Sequence, residues 1–201
     1  MPVKDSYLTV EAGTEREIKV QKSRFIAQAF PFKSQEDLNG ILAEVKKKYY
    51  DASHHPFAYR LGIGGDNFRY SDDGEPSGSS GKPVLEAIDK FSLTDVVVIV
   101  TRYFGGTKLG VGGLRRAYFE AAETCLGEAE IREKFLLEML ELQFDYRFMN
   151  MVMQLISKKE AVIKSNDSGE KVKLACEVRS SRIAAFKKEL VNLTSGTIII
   201  K

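Results

Sequence analysis

One stretch of this chain carries residue types at spacings that suit an anion. TRYFGGTKLGVGGLRRAY, residues 101–118, interleaves Gly105, Gly106, Gly110, Gly112 and Gly113 with the cations Arg102, Lys108, Arg115 and Arg116. It follows the aliphatic run VVVIV (96–100) and precedes a helical pattern. The first turn of a helix exposes unpaired amides and a partial positive charge. Glycine lets an anion reach those amides, and Lys108 and Arg116 add full charges beside them. The same residues support a second reading. The glycines then make a tight strand-to-helix turn that packs the helix close to a sheet, and Arg116 pairs with Glu120 one turn on. Both readings stay open on the sequence.

Sharper motifs fail on spacing. A phosphate-binding P-loop ending at Gly81-Lys82 would need glycine where Pro76 stands and a hydroxyl where Pro83 stands. A dinucleotide fingerprint begun at Gly110 and Gly112 would put its third glycine at Arg115. The loop DDGEPSGSSGKP (72–83) offers Asp72, Asp73 and Glu75. They can neutralise Arg102, Lys108 or Arg116, cap turns, or hold a hard cation such as Mg²⁺. His54 and His55 are the only histidines, so no zinc spacing can be assembled. His55 can act as a base near neutral pH, but no nucleophile accompanies it, and a structural hydrogen bond is its simpler role.

These loops need a scaffold. Residues 16–32 read as a hairpin. Ser34 reads as the N-cap of a helix with Leu38, Ile41, Leu42 and Val45 on one face and lysines at its end. Strands flank the turn at residues 64–67. Ser80 is a candidate cap for a helix carrying Val84, Leu85, Ile88 and Phe91 inward, and TDVVVIVTRYF (94–104) is a strand apolar enough to be buried on both faces. After the glycine loop, Leu114, Tyr118, Ala121 and Cys125 fall at helical spacing. The charged stretch GEAEIREK (127–134) reads as a helix end that couples two domains. Beyond it, strand, helix, two strands, helix capped by Ser181 and a last strand give the βαββαβ order of a ferredoxin-like unit. On the strand KVKLACEVR, Val172, Leu174, Cys176 and Val178 take one face, and Lys171, Lys173, Glu177 and Arg179 the other. No aromatic faces outward there, which disfavours base stacking on that strand.

A length of 201 residues allows one or two domains. A net charge of +2 is too small for a general polyanion binder, so any nucleic-acid contact must be local. Cys125 and Cys176 read as reduced, buried thiols. The start MPVKDSYLTVEAGTE has no apolar core of signal-peptide length, VVVIV is too short to cross a bilayer, and the expected location is the cytoplasm.

SHHPFAYRL, SDDGEPSGSSGKP and VTRYFGGTKLGVGGLRRAY, in order across residues 53–118, resemble the IMPACT family and its bacterial YigZ-type members. Residues from about 135 to 201 are similar to the small domain that accompanies those members, itself like the ferredoxin-like domains of elongation factor G. The resemblance implies an α+β protein. Residues 1–133 would have the fold of the second domain of ribosomal protein S5, and residues 134–201 would be ferredoxin-like. Relatives of eukaryotic architecture act as translation regulators, competing for a ribosome-associated activator of a stress kinase. The resemblance transfers only a general link to translation, and no catalytic residues. His54, His55, Arg60, Asp72, Asp73, Gly74, Glu75, Pro76, Gly78, Arg102, Gly105, Gly106, Lys108, Gly110, Gly112, Gly113 and Arg116 match the family pattern, whereas Arg115 stands where an apolar residue is commoner and is set aside.

The leading expectation is a non-catalytic binding protein that contacts structured RNA or the ribosome through Arg102, Gly105, Gly106, Lys108, Gly110, Gly112, Gly113 and Arg116. Lys171, Lys173 and Arg179 are secondary basic contacts. No cofactor, metal or membrane is expected, and the oligomeric state is open. One alternative is an enzyme acting on a small phosphorylated or acidic ligand between loops 72–82 and 102–116, with His55 as base and Asp73 or Glu75 helping to hold a metal. The other is a protein–protein adaptor working through Tyr103 and Phe104.

Overall fold

The computed structural model describes residues 5–201; the first four residues of the stretch read as leaderless lie outside it. The chain forms two compact units. One is Tyr7–Lys134, and the other gathers Asp5, Ser6 and Phe135–Lys201.

In the first unit, β2 (Thr14–Val20) and β3 (Ser23–Pro31) form the hairpin. Helix α1 (Gln35–Lys48) starts at a capping box. The Ser34 hydroxyl accepts from the Asp37 amide at 3.1 Å and the Asp37 carboxylate accepts from the Ser34 amide at 3.0 Å. Strands β4 (Phe57–Leu61) and β5 (Asn67–Ser71), helix α2 (Gly81–Lys90), strand β6 (Val96–Tyr103) and helix α3 (Gly110–Gly127) follow. The five-stranded sheet has the order β2-β3-β6-β4-β5. Its central strand β6 is buried on both faces, as its unbroken aliphatic run requires. Val96, Val98 and Val100 join Phe25, Ala27 and Ala58 against α2 and α3. Val97 and Ile99 join Phe57 and Tyr59 against Leu38 and Val45 of α1. Leu114, Tyr118, Ala121 and Cys125 all lie in the first of these cores.

Three local readings are corrected. Residues 127–134 are not a helix end. α3 stops at Gly127, and Ile131–Phe135 is a strand, β7, paired with β1 (Ser6–Val10). Glu, Arg and Lys favour a helix locally, but a partner strand far away in sequence takes the segment instead. Ser80 stands at the cap position of α2 without bonding its amides; Asp72 performs that task. Ser181 is also not a cap: a 3-10 turn at Ser180–Arg182 intervenes, Arg182 holds the cap position, and the Ser181 amide and hydroxyl both donate to Asp5.

The second unit is β8 (Leu137–Phe144), α4 (Met149–Lys158), β9 (Val162–Ser168), β10 (Val172–Arg179), α5 (Ile183–Leu193) and β11 (Ile199–Ile200). The antiparallel sheet order β11-β8-β10-β9 is the ferredoxin-like arrangement. Val152 and Ile156 of α4 and Phe186 and Leu190 of α5 pack on Leu140, Leu142, Leu174 and Cys176. Among the described residues, no helix is long and apolar enough to cross a membrane.

Candidate functional site

The glycine loop leaves β6 and enters α3, and its glycines differ in what they do. A Cβ on Gly105 would fall 2.0 Å from the carbonyl of Lys22, so the two backbones touch there and no side chain fits. The Gly105 amide is engaged, donating to the Ser23 hydroxyl at 3.2 Å. Gly106 and Gly110 have φ of +84° and +68°, a backbone that glycine adopts without strain. Gly113 is crowded by Leu109, 3.0 Å from where its Cβ would be. Gly112 is neither crowded nor left-handed. Leu109 occupies the N-cap position of α3 and provides no side-chain cap. Among the described residues, the amides from Gly106 to Gly112 donate to no protein acceptor. Lys108 and Arg116 are exposed and, among the described residues, form no ion pair, so the Arg116–Glu120 pair does not form.

Arg102 behaves differently from the other cations. It continues the inward face of Val96, Val98 and Val100 and is buried, with its side chain 7% exposed. Its Nη1 donates to Glu75 Oε1 at 2.6 Å, and the Tyr118 hydroxyl donates to the same oxygen at 2.7 Å. Burial, with the Glu75 charge beside it, pushes the Tyr118 hydroxyl far above its ordinary pKa, so it stays a donor. The Arg102 Nε has no partner. Arg102 therefore serves the interior, and the free cations of the loop are Lys108 and Arg116. The period-two alternation along β6 already carries this signal.

The acidic loop folds around its own carboxylates. Asp72 Oδ1 accepts from the Ser80 amide, the Ser80 hydroxyl and the Gly81 amide at 3.1, 2.8 and 2.9 Å, and Oδ2 accepts from the Gly78 amide at 2.8 Å. Burial alone would raise the pKa of Asp72, but these donors outweigh it and hold the carboxyl below its ordinary value. Asp73, at φ +42°, accepts from the His55 amide at 2.7 Å and from Lys46 at 3.3 Å. With Glu75 turned to Arg102 and Tyr118, the three acids face different donors rather than one another. That arrangement does not suit a shared cation. Among the described residues, no group of three potential ligands converges on one point.

The histidines are held in place. His54 Nδ1 lies 2.8 Å from the Asp73 carbonyl and His55 Nε2 lies 3.2 Å from the Tyr49 carbonyl. A carbonyl only accepts, so each of these nitrogens carries the proton. Burial pushes the His55 pKa down against the pull of Asp73, leaving a neutral, enclosed ring whose bare Nδ1 sits 3.8 Å from Asp73 Oδ2. Arg60 forms a two-point ion pair with Asp89.

Two further residues belong to the site. Arg115, set aside on the sequence, donates to the Gly78 carbonyl at 2.8 Å and to Glu86 at 3.0 Å, tying the acidic loop to α3 and α2. Tyr118, read only as core, supplies the second bond to Glu75. A buried tyrosine hydroxyl usually finds such a partner. In the second unit Lys171 and Lys173 are exposed, whereas Arg179 lies 3.5 Å from the centroid of the Phe135 ring and 3.6 Å from Glu160.

Comparison with known proteins places these features. The model of the Impact N-terminal domain matches residues 21–126, which hold both loops, and a domain of unknown function, DUF1949, matches residues 142–197. The chain is 33% identical to IMPACT family member YvyE of Bacillus subtilis, over 98% of this chain and 90% of that protein. It is 28% identical to IMPACT family member YigZ of Escherichia coli, over 96% of each. A crystal structure described as that of a hypothetical protein aligns with a TM-score of 0.72 at 27% identity, covering 98% of this chain and 97% of the other. With its N-terminal domain matched over more than half its length and relatives aligned from end to end, this chain belongs to the IMPACT family.

Proposed function

We propose that this protein is a non-catalytic binding protein of the translation apparatus that docks a phosphate of structured RNA, on or off the ribosome, at residues 106–116. The observation that carries the reading is the run of amides from Gly106 to Gly112 without a protein acceptor, flanked by the unpaired Lys108 and Arg116. Backbone donors left without acceptors at a helix start suit a phosphate oxygen. The acidic loop leaves these donors alone, because its carboxylates are turned to Arg102, Tyr118, His55, Lys46 and their own loop. Lys171 and Lys173 add basic contacts from the second unit. Partners recognised by shape and phosphate fit the modest net charge, since the attraction is local.

The test measures binding of a structured RNA and of purified ribosomes between 50 and 200 mM salt, conditions over which phosphate contacts lose affinity steeply. Lys108→Ala/Arg116→Ala should weaken binding and flatten the salt slope by about 1.5, two contacts at roughly 0.7–0.9 each. Lys187→Ala/Lys188→Ala, on the exposed face of α5, removes the same charge and should change little. Unchanged affinity and slope in the first variant would rule the loop out as the contact.

A further inference from the structure

We propose that Phe104 is a stacking platform for an unpaired nucleobase of the bound RNA. The inference rests on the phosphate reading of the neighbouring amides and names what sits beside that phosphate. Phe104 directly follows the last residue of β6 and is 49% exposed, on the residue before the glycine loop. An exposed phenylalanine is ordinary; one held by a chain of buried contacts is not. The Arg102 guanidinium lies 5.4 Å from the Phe104 ring centroid and 5.5 Å from that of Phe25. Phe25 is fully buried and meets Tyr118 edge-to-face at 5.1 Å. Arg102 is fixed in turn by Glu75.

The column Tyr118–Phe25–Arg102–Phe104 thus runs from the core to the surface and ends in a half-open aromatic ring. Phe68 is as exposed and has Arg60 4.9 Å from its ring centroid, but it stands on β5 and not beside the loop amides that lack acceptors; what distinguishes Phe104 is a contact to the buried Arg102 together with its place next to those amides. Fixing a ring before binding removes the ordering cost that a mobile side chain would carry. The arrangement also answers why a guanidinium is buried with its Nε unpartnered: its place is set by the rings it touches as much as by its hydrogen bonds.

Spacing selects the occupant. Phe104 precedes Gly106–Lys108 by two to four residues, at most roughly 7–14 Å of extended chain, within reach of one nucleotide. Gly105 and Gly106 between them carry no side chain, and a Cβ on Gly106 would meet nothing within 4 Å. A base on the ring and its phosphate on the amides make one continuous ligand. Bases in duplex RNA are already stacked and cannot be offered this way, so the ligand is an unpaired nucleotide in a loop, bulge or end.

The test uses the full chain with four probes: single-stranded oligoadenylate, oligouridylate, an abasic oligonucleotide of equal length, and a fully paired duplex. The unpaired adenylate should bind more tightly than the abasic strand and the duplex. Phe104→Leu, which keeps apolar volume on an exposed site, should lower adenylate affinity roughly five- to a hundred-fold, towards the abasic value. The chain has no tryptophan, so Phe104→Trp introduces a single indole, whose emission should be quenched by adenylate and not by the abasic strand. Equal binding of adenylate and abasic strands, still dependent on Lys108 and Arg116, overturns the platform and leaves the phosphate reading intact. Binding of no nucleic acid at low salt, or ribosome binding that survives nuclease treatment, overturns both.

Discussion

Gly112→Ala separates the two explanations of the glycine loop, because at this position they predict different things. Gly112 lies in the first turn of α3, has no left-handed φ, and offers a Cβ only one neighbour, Arg116 Nη1 at 3.9 Å, an ordinary contact. Nothing in the folded chain requires glycine there. Alanine is preferred over glycine in helices by about 0.8–1 kcal/mol, discounted at a first-turn position to roughly 0.5–1 kcal/mol. For a unit of about 130 residues this raises Tm by roughly 2–4 °C. The added methyl also stands among the amides proposed to meet phosphate. The variant should therefore be more stable by calorimetry and bind RNA several-fold more weakly, with its salt slope retained because no cation is lost. A stabilised variant with unchanged RNA affinity would refute the claim that glycine at 112 is there for an approaching ligand. A destabilised variant would refute the conformational reasoning itself.

Three further outcomes follow from the same geometry. Glu75→Leu strands Arg102 as an unpaired buried charge and should cost about 3–5 kcal/mol, a Tm drop of roughly 10–15 °C; Glu75→Leu/Arg102→Met should recover most of it, and a single variant within about 1 kcal/mol of the parent would show that the pair is not desolvated as described. Gly105→Ala should abolish stable folding of the first unit or lower its Tm by more than 10 °C, since the new Cβ would overlap the Lys22 backbone, whereas Gly106→Ala, left-handed but uncrowded, should cost only about 1 kcal/mol; similar melts for the two would contradict the close approach. Asp72→Asn should cost about 1–2 kcal/mol at pH 6 in urea titrations. Because the folded pKa of Asp72 is held below its unfolded value, its contribution is complete above the unfolded pKa and is lost as pH falls through the folded one. The gap between variant and parent should therefore narrow from pH 6 towards pH 3, and a pH-independent gap would show that the carboxylate charge is not what the loop donors hold.

Where structure could be read from the sequence, the deciding interactions were local. Ser34 and Asp37 stand three residues apart and build their own cap, and the alternation in KVKLACEVR set the inner face of β10 directly. Where the reading failed, the deciding partner was remote. The segment Ile131–Phe135 has helix-forming residues, but its pairing with β1 joins the two ends of the first unit. Ser80 looks like a cap, yet Asp72, eight positions earlier, folds back to do the work with better geometry. Arg102 is the instructive case. Grouped by composition with Lys108 and Arg116, it joins a surface patch; placed by alternation with Val98 and Val100, it belongs to the core. Composition and periodicity disagreed, and periodicity was right, because strand geometry leaves a side chain no choice of face. What periodicity could not supply was the partner, since Glu75 comes from a loop on the far side of α2 in sequence.

The choice between a tight turn and an anion cradle rests on an assumption that the glycines act alike, and they do not. Gly105 is required by crowding, Gly113 is favoured by a tight contact with Leu109, and Gly106 and Gly110 are favoured by backbone conformation. These four are accounted for by the fold alone and say nothing about a ligand. The anchored part is the start of the loop: Gly105 sits against the Lys22 backbone, and the preceding strand is tied through Arg102 to Glu75. On the proposed reading, that anchoring limits the reordering that binding requires, which helps so lightly charged a protein bind phosphate with two cations and a few amides. The turn is then the means by which the cradle is preorganised, and variants that loosen the buried anchor without touching the rim should lose affinity in proportion to the order they remove.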